Sequence, residues 1–520
     1  MVNAVTGAGN WLSSWLAMVV ELARREPGKV LLWVLGFHLV VWTVLPILVC
    51  LNLQLDLVED LALGKEWQLG YWKHPPLPWW AADLVYRIVG HVDAVYVLGP
   101  LAVVVCFYAV WLLAREVAGE LEALVAVLTL EAIHFYNFSA VKFAHDQMQL
   151  PFWALTGLFF YRAITRKRTL DWLLAGAFLA LAFWSKYAAF ALAATLGLFL
   201  LFDPTARRAW RTPGPWLMAL AFALVIAPNL WWLVDTGFLP LRYVDARAVA
   251  ATDWLQYVSF PLRWTGGQLL FILPAIGLIA LLFVGAPRDE PRRQAAPAVF
   301  ARRYVTVLAL GPFLVTTLVA AVLGRLPVAL WGYPLWSFAP LAAILWLGPI
   351  SDPRRLRLFA AAFISVLLLV PAAYGVSELF DSFISDRQKA TKFPGRLLAE
   401  IVTQQWRERT GTPLRYVGGA DIRGGAGEFP ANNVAVYSPD RPHVVVHGQP
   451  RLSPWIDVAD LDRRGAVFVW EQASTAPTLP DGLRATFPRT EALPPLVLPL
   501  QSRTQRRPVI IGYAILPPRP

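Results

Sequence analysis

Long apolar runs, each closed off by a short polar connection, fill roughly the first three-quarters of the chain. A helix needs about 20 mostly apolar residues to cross a hydrocarbon core. Runs near that length lie at 30–51, 94–114, 121–138, 149–165, 170–185, 187–202, 215–233, 264–284, 304–323, 328–348 and 358–377. The pattern predicts an α-helical polytopic membrane protein with about eleven transmembrane helices.

The connections alternate in charge. Arg24, Arg25 and Lys29 precede the first run, Arg115 follows the second, and Arg166, Lys167 and Arg168 follow the fourth. Arg207, Arg208 and Arg211 follow the sixth, Arg288, Arg292, Arg293, Arg302 and Arg303 the eighth, and Arg354, Arg355 and Arg357 the tenth. Basic connections stay in the cytoplasm, so the N-terminus is expected there. An odd number of crossings then puts the C-terminal region outside. Residues 1–22 lack a basic start and a small-residue cleavage site. They read as an amphipathic interfacial helix rather than a cleaved signal.

The outer side then carries the unusual sequence: loops 52–92, 139–148 and 234–263, a tight turn at 324–327, and a tail over 380–520. Two domains are expected, a membrane domain over 1–379 and an extracytoplasmic one over 380–520. Strand-like runs in the tail (Val434–Val436, Val444–Val446, Ala466–Trp470 and Val509–Ala514), broken by Gly and Pro, predict a small α/β domain.

Composition agrees. The chain is 57% hydrophobic and 16% charged, against about a quarter charged in soluble domains. Its net charge of +11 is spread over the cytoplasmic connections, which argues against nucleic acid as a partner. Cys50 and Cys106 both sit in apolar runs and read as buried thiols, not a disulfide or metal framework.

Candidate chemistry gathers on the outer side. Asp56, Glu59 and Asp60 follow the first run at spacings that share one helical face. In GYWKHPPL, Pro75 and Pro76 stiffen the backbone beside Lys73 and His74. Such a cation held at the membrane surface suits an anionic lipid headgroup. SAVKFAHDQMQ packs Lys142, His145 and Asp146 into one short loop, and Lys186 is a lone lysine on the side that should be poor in them. No phosphate-binding glycine loop, dinucleotide fingerprint or nucleophile elbow is present in the sequence.

In combination these motifs resemble the bacterial GT-C glycosyltransferases related to the dolichyl-phosphate-mannose protein mannosyltransferases and the lipid A aminoarabinose transferases (glycosyltransferase family 39-like). Members begin the first outer loop with a "DEAYYW"-like acidic element and follow it with "GYFDHPPL" or "YFEKPP". Here Asp56 takes the acidic position and GYWKHPPL the second. AHDQM resembles "tpDap" and assigns Asp146, WSKYAA resembles "LsKYta" and assigns Lys186 and Tyr187, and APNLWW resembles "PvliWN". The similarity runs over roughly residues 30–350. Asp56 is followed by Leu57, and the tyrosines after it are missing, so the second carboxylate is left between Glu59 and Asp60.

The resemblance implies a GT-C-like fold and transfer of a sugar from a polyprenyl-phosphate donor to a lipid, lipopolysaccharide, glycan or protein acceptor outside the membrane. Asp56 would serve as the base, with inversion, and Asp146 as a second catalytic carboxylate. Lys73, His74, Lys186, Arg263 and Tyr333 are expected around the donor phosphate, with Arg242 and Arg247 in reserve. Lysine and arginine alone can neutralise a phosphate monoester; no metal is required, though a divalent ion is compatible with the set. The competing expectation is a transporter or lipid flippase. That would need midplane charges in repeated halves, and no internal repeat is evident.

Overall fold

A computed structural model describes residues 2–284, 296–380, 388–420, 427–500 and 508–519, without the side chains of 2–12, 244–247 and 296–297. Arg288, Arg292 and Arg293 lie outside these residues.

The apolar runs fold as helices: α1 (Val2–Arg25), α2 (Pro27–Val49), α3 (Leu55–Gly64), α4 (Leu77–Val89), α5 (Leu98–Val117), α6 (Glu120–Leu130), α7 (His145–Arg166), α8 (Thr169–Ser185), α9 (Phe190–Phe202), α10 (Gly214–Asp235), α11 (Leu239–Arg247), α12 (Gln256–Phe283), α13 (Ala296–Leu323), α14 (Ala339–Leu347) and α15 (Pro353–Leu379). Aromatic and aliphatic side chains on their inner faces form one continuous core, including Phe107, Trp153, Trp264, Tyr304 and Phe338. Outer faces of α10, α12, α13 and α15 leave leucines and valines exposed, as lipid-facing surfaces do. The chain is a multi-pass membrane protein.

Eleven full crossings are not found. Among the described residues six helices are long and apolar enough to cross, or seven if the pair Ala329–Trp336 and Ala339–Leu347, bent by 51°, is counted as one. The reasons are local. The run at 121–138 breaks after Leu130 into turns and a short 3-10 segment at His134–Tyr136, and a second follows just beyond it at Ala140–Lys142. α7 is 22 residues long but opens with His145, Asp146, Gln147 and Gln149. α9 has 13 residues, about 20 Å at 1.5 Å each.

Two expected loops are largely helical. Residues 52–92 hold α3 and α4, and residues 234–263 hold α11 and the first two turns of α12. α12 has 28 residues, about 42 Å, so it outruns the hydrocarbon core. Its polar start (Gln256, Ser259, Arg263) reads as loop in a hydropathy average. The expected turn at 324–327 is part of a small antiparallel pair, β1 (Val249–Ala250) with β2 (Arg325–Leu326).

The tail forms a five-stranded mixed sheet in the order β4-β3-β5-β7-β6: β3 (Tyr416–Gly418), β4 (His443–Val445), β5 (Ala466–Glu471), β6 (Glu491–Leu498) and β7 (Val509–Leu516). β3 runs parallel to β4 and β5, whereas β7 is antiparallel to β5 and β6. Val434–Val436, expected as a strand, lies in the helix Phe429–Tyr437; Phe429, Pro430, Ala431, Asn432 and Asn433 before it are buried too, and a short apolar run such as VAV, buried on every side, does not distinguish helix from strand.

The tail does not stand apart. Leu53, Leu57, Val58 and Leu61 share a core with Leu398, Val402, Trp406, Val434 and Val469. Polar ties reinforce it. Lys65 Nζ donates to the Arg441 and Pro442 carbonyls, His443 Nδ1 meets the Glu66 carboxylate at 2.9 Å, and Leu53 N–H donates to the Tyr437 hydroxyl at 3.1 Å. The helix that carries the candidate carboxylates is therefore clamped between membrane domain and tail.

Candidate active site

Side chains from the outer segments 52–92, 139–148 and 234–263 converge with Lys186 and the first residues after the 324–327 turn on one cavity of about 180 Å³. It is lined by Asp56, Glu59, Asp60, Lys73, His74, Ala144, His145, Asp146, Lys186 and Tyr243, and by Val328, Leu330 and Trp331.

α3 supplies the carboxylates. Leu57, Val58 and Leu61 are buried against the tail, which turns the opposite face, with Asp56, Glu59 and Asp60, to the cavity. The three are not equivalent. Glu59 accepts from Lys73 Nζ. Asp60 is buried with one carboxyl oxygen unpartnered; burial, then the Asp56 and Glu59 charges, hold it well above the usual carboxylate range. Asp56 has no hydrogen bond or ion pair among the described residues, and burial pushes its carboxyl up to about 6, with Lys73 opposing. It lines the cavity unengaged, with a value that leaves it mostly ionised at pH 7.

The GYWKHPPL segment is locked in three ways. Tyr71 hydroxyl donates to the Leu63 carbonyl at 2.9 Å, and Tyr71 N–H to the His74 carbonyl at 3.1 Å. Gly70 lies flat against Trp232, where a Cβ would come within 2.2 Å of the ring. Asn229 Nδ2 donates to the Leu69 carbonyl at 2.7 Å, while its Oδ1 accepts from Tyr187 hydroxyl at 3.0 Å. Thus the SKY and APN segments, far apart in sequence, hold the first outer loop in place.

Two cations face the cavity. Burial works against the Lys73 charge, but Glu59, Tyr243 and Asp56 outweigh it and hold the ammonium above its ordinary range. Lys186 Nζ donates to both Asp146 oxygens at 2.7 and 2.8 Å and sits 5.0 Å from the Trp331 ring centroid. The His74 and His145 rings pack at a tilt of 39°, with centroids 4.1 Å apart. Burial, then His145, Lys186 and Lys73, keep the His74 imidazole well below its ordinary value. His74 therefore contributes a neutral hydrogen-bonding ring, not the cation expected from the sequence.

Three expected site residues stand elsewhere. Arg263 is exposed on α12 and does not line the cavity. Tyr333 is buried with its hydroxyl donating to the Ser139 carbonyl at 3.2 Å, which makes it a brace under the His145 loop. Lys142 is exposed and outside the lining. Arg242 is exposed too, and the Arg247 side chain lies outside the described residues. Tyr243 and Trp331 line the cavity without having been singled out; each is an aromatic in an aromatic-rich stretch, and nothing local marks it. Among the described residues no group of three or more His, Cys, Asp or Glu is placed to hold a metal ion.

Comparison with known proteins agrees with the fold. Residues 73–232 match the dolichyl-phosphate-mannose-protein mannosyltransferase family. A lipid A galacturonosyltransferase, RgtD, of Rhizobium johnstonii is 33% identical over 233 residues, 42% of this chain and 46% of that protein. The match thus spans about half the length of that curated relative. Two crystal structures of ArnT from Cupriavidus metallidurans superpose over 94% of this chain and 98% of theirs. The apo state gives a TM-score of 0.60 at 13% identity, and the undecaprenyl phosphate complex 0.57 at 14%. The chain has the ArnT-like GT-C fold that the sequence motifs implied, with a small sheet-containing unit at its C-terminal end.

Proposed function

We propose that the chain transfers a sugar from a polyprenyl-phosphate-linked donor to a lipid acceptor, with inversion at the anomeric carbon, on the outer face of a bacterial inner membrane. The observation that carries the reading is the pairing of one ionised, unengaged carboxylate, Asp56, with two lysines, Lys73 half-buried and Lys186 buried, on the walls of a single cavity. An acceptor hydroxyl attacks the anomeric carbon while Asp56 takes its proton. The bond from that carbon to the phosphate oxygen breaks, its electron pair leaves on the lipid phosphate, and Lys73 and Lys186 face the charge that develops. Asp146 holds Lys186 in line and stands as the second carboxylate of the site. The N-terminus is assigned to the cytoplasm, and residues 380–520 to the far side as a unit over the membrane domain of 1–379.

The relatives support the substrate classes: one solved neighbour holds undecaprenyl phosphate, and a sequence relative acts on lipid A. The test is incubation of the purified chain with an undecaprenyl-phosphate sugar and lipid A. Release of undecaprenyl phosphate together with a glycosylated lipid is the expected result. Movement of intact donor across vesicles without cleavage would favour a flippase instead.

A further inference from the structure

Beside the catalytic cavity, the tail delivers two side chains that the proposed chemistry does not use. The Glu428 carboxyl is 12% exposed; one oxygen accepts from the His447 backbone N–H and lies 3.4 Å from His447 Nδ1. Its other oxygen, Oε1, is buried without a partner. The His447 ring in turn lies 5.2 Å from the Trp72 ring, centroid to centroid and edge-on. Trp72 packs 5.0 Å from Tyr243, a cavity-lining residue, and its Nε1–H is also buried without a partner. Lys73, the next residue along, faces the cavity, with its ammonium 5.8 Å from the Trp72 ring. The cluster is thus continuous with the catalytic cavity through Trp72, Lys73 and Tyr243.

Buried polar groups are nearly always satisfied, and each exception calls for a reason. Each of these unpaired groups, set among aromatic rings, is left for a ligand hydroxyl: the Trp72 N–H to donate, the Glu428 oxygen to bond in turn. His447 is held at a φ of 52°, a costly conformation outside glycine that collects at ligand sites. Burial pushes the Glu428 carboxyl up to about 8, so near neutral pH it is largely uncharged and suits a neutral polyol better than a cation.

We propose that Trp72, Tyr243, His447 and Glu428 form a saccharide subsite that holds the sugar headgroup of the acceptor, built jointly by the first outer loop and the tail. This rests on the glycosyl-transfer reading above and assigns the tail a part in acceptor recognition.

The test measures binding of lipid A and, separately, of undecaprenyl phosphate to the purified full chain in detergent. Glu428→Ala removes the acceptor atom; Trp72→Phe keeps a ring and removes the N–H. Each is expected to weaken lipid A binding roughly tenfold or more and to leave undecaprenyl phosphate affinity within about twofold, which also shows that the variant is folded. Unchanged lipid A affinity in both variants, or equal loss of both ligands, overturns the subsite. Wild-type protein that binds undecaprenyl phosphate but not lipid A overturns it as well, leaving the donor side standing. Failure to bind either lipid counts against the glycosyl-transfer reading itself.

Discussion

Lys186 and Asp146 make the sharpest test of how stability and chemistry share the cavity. Their side chains are 8% and 18% exposed, and the lysine reaches both carboxylate oxygens. Removing one partner of a buried pair leaves the other charge uncompensated, at a cost of about 3–5 kcal/mol when burial is complete. Asp146 keeps some solvent contact, so the cost falls at or just below the bottom of that range, about 2–3 kcal/mol. Lys186→Met retains most of the stem packed on Trp331 and should lower the Tm in detergent, as should Asp146→Asn. The double variant has no stranded charge and should recover most of the loss, since replacing both partners is often nearly neutral. Turnover should not recover, because the phosphate has lost a cation. Additive destabilisation in the double variant would refute the buried pair, and a stable double variant with normal turnover would refute its part in the chemistry.

The other predictions concern the base and the scaffold. Asp56 acts as a base only when ionised, and its carboxyl is pushed up to about 6; kcat/KM should therefore fall as pH drops through that value, and a profile flat from about pH 5 to about pH 8 would contradict the assignment. Gly70→Ala places a Cβ 2.2 Å from a Trp232 ring carbon; overpacking of this kind costs about 1–3 kcal/mol, and the shift of GYWKHPPL should depress turnover more than donor binding. A chain ending at Leu379 would expose Leu57 and Leu61, which share a core with the tail, and should aggregate on extraction; a monodisperse, active truncation would show that the tail is dispensable.

The chain displays its membrane character openly, because long apolar runs have few alternative explanations. The number of crossings was not legible: hydropathy cannot see that the run through Leu130 breaks into turns, or that α7 has four polar residues among its first five and still packs in the bundle. In the sequence, spacing singles out the carboxylates, the proline-stiffened GYWKHPPL singles out Lys73, and a lone place on the outer side singles out Lys186. Which carboxylate is free depends on who pairs with whom: Lys73 takes Glu59, and burial silences Asp60. That is a three-dimensional fact with no trace in the order DLVED. Asn229 belonged to a recognised motif, but its grip on Leu69 links residues 160 positions apart. Glu428 and His447 were invisible for the same reason, since only the shared core brings the tail to the first loop. Arg263 illustrates the opposite error: an arginine in an apparent loop turned out to lie on a protruding helix.

The most direct test of the central claim is Asp56→Asn, which keeps size and hydrogen-bonding capacity and removes the charge. Donor binding and thermal stability should stay near wild type, and sugar transfer should drop about a hundredfold to ten-thousandfold, as loss of a general base commonly does. An Asp56→Asn protein that transfers sugar at close to the normal rate would contradict the account.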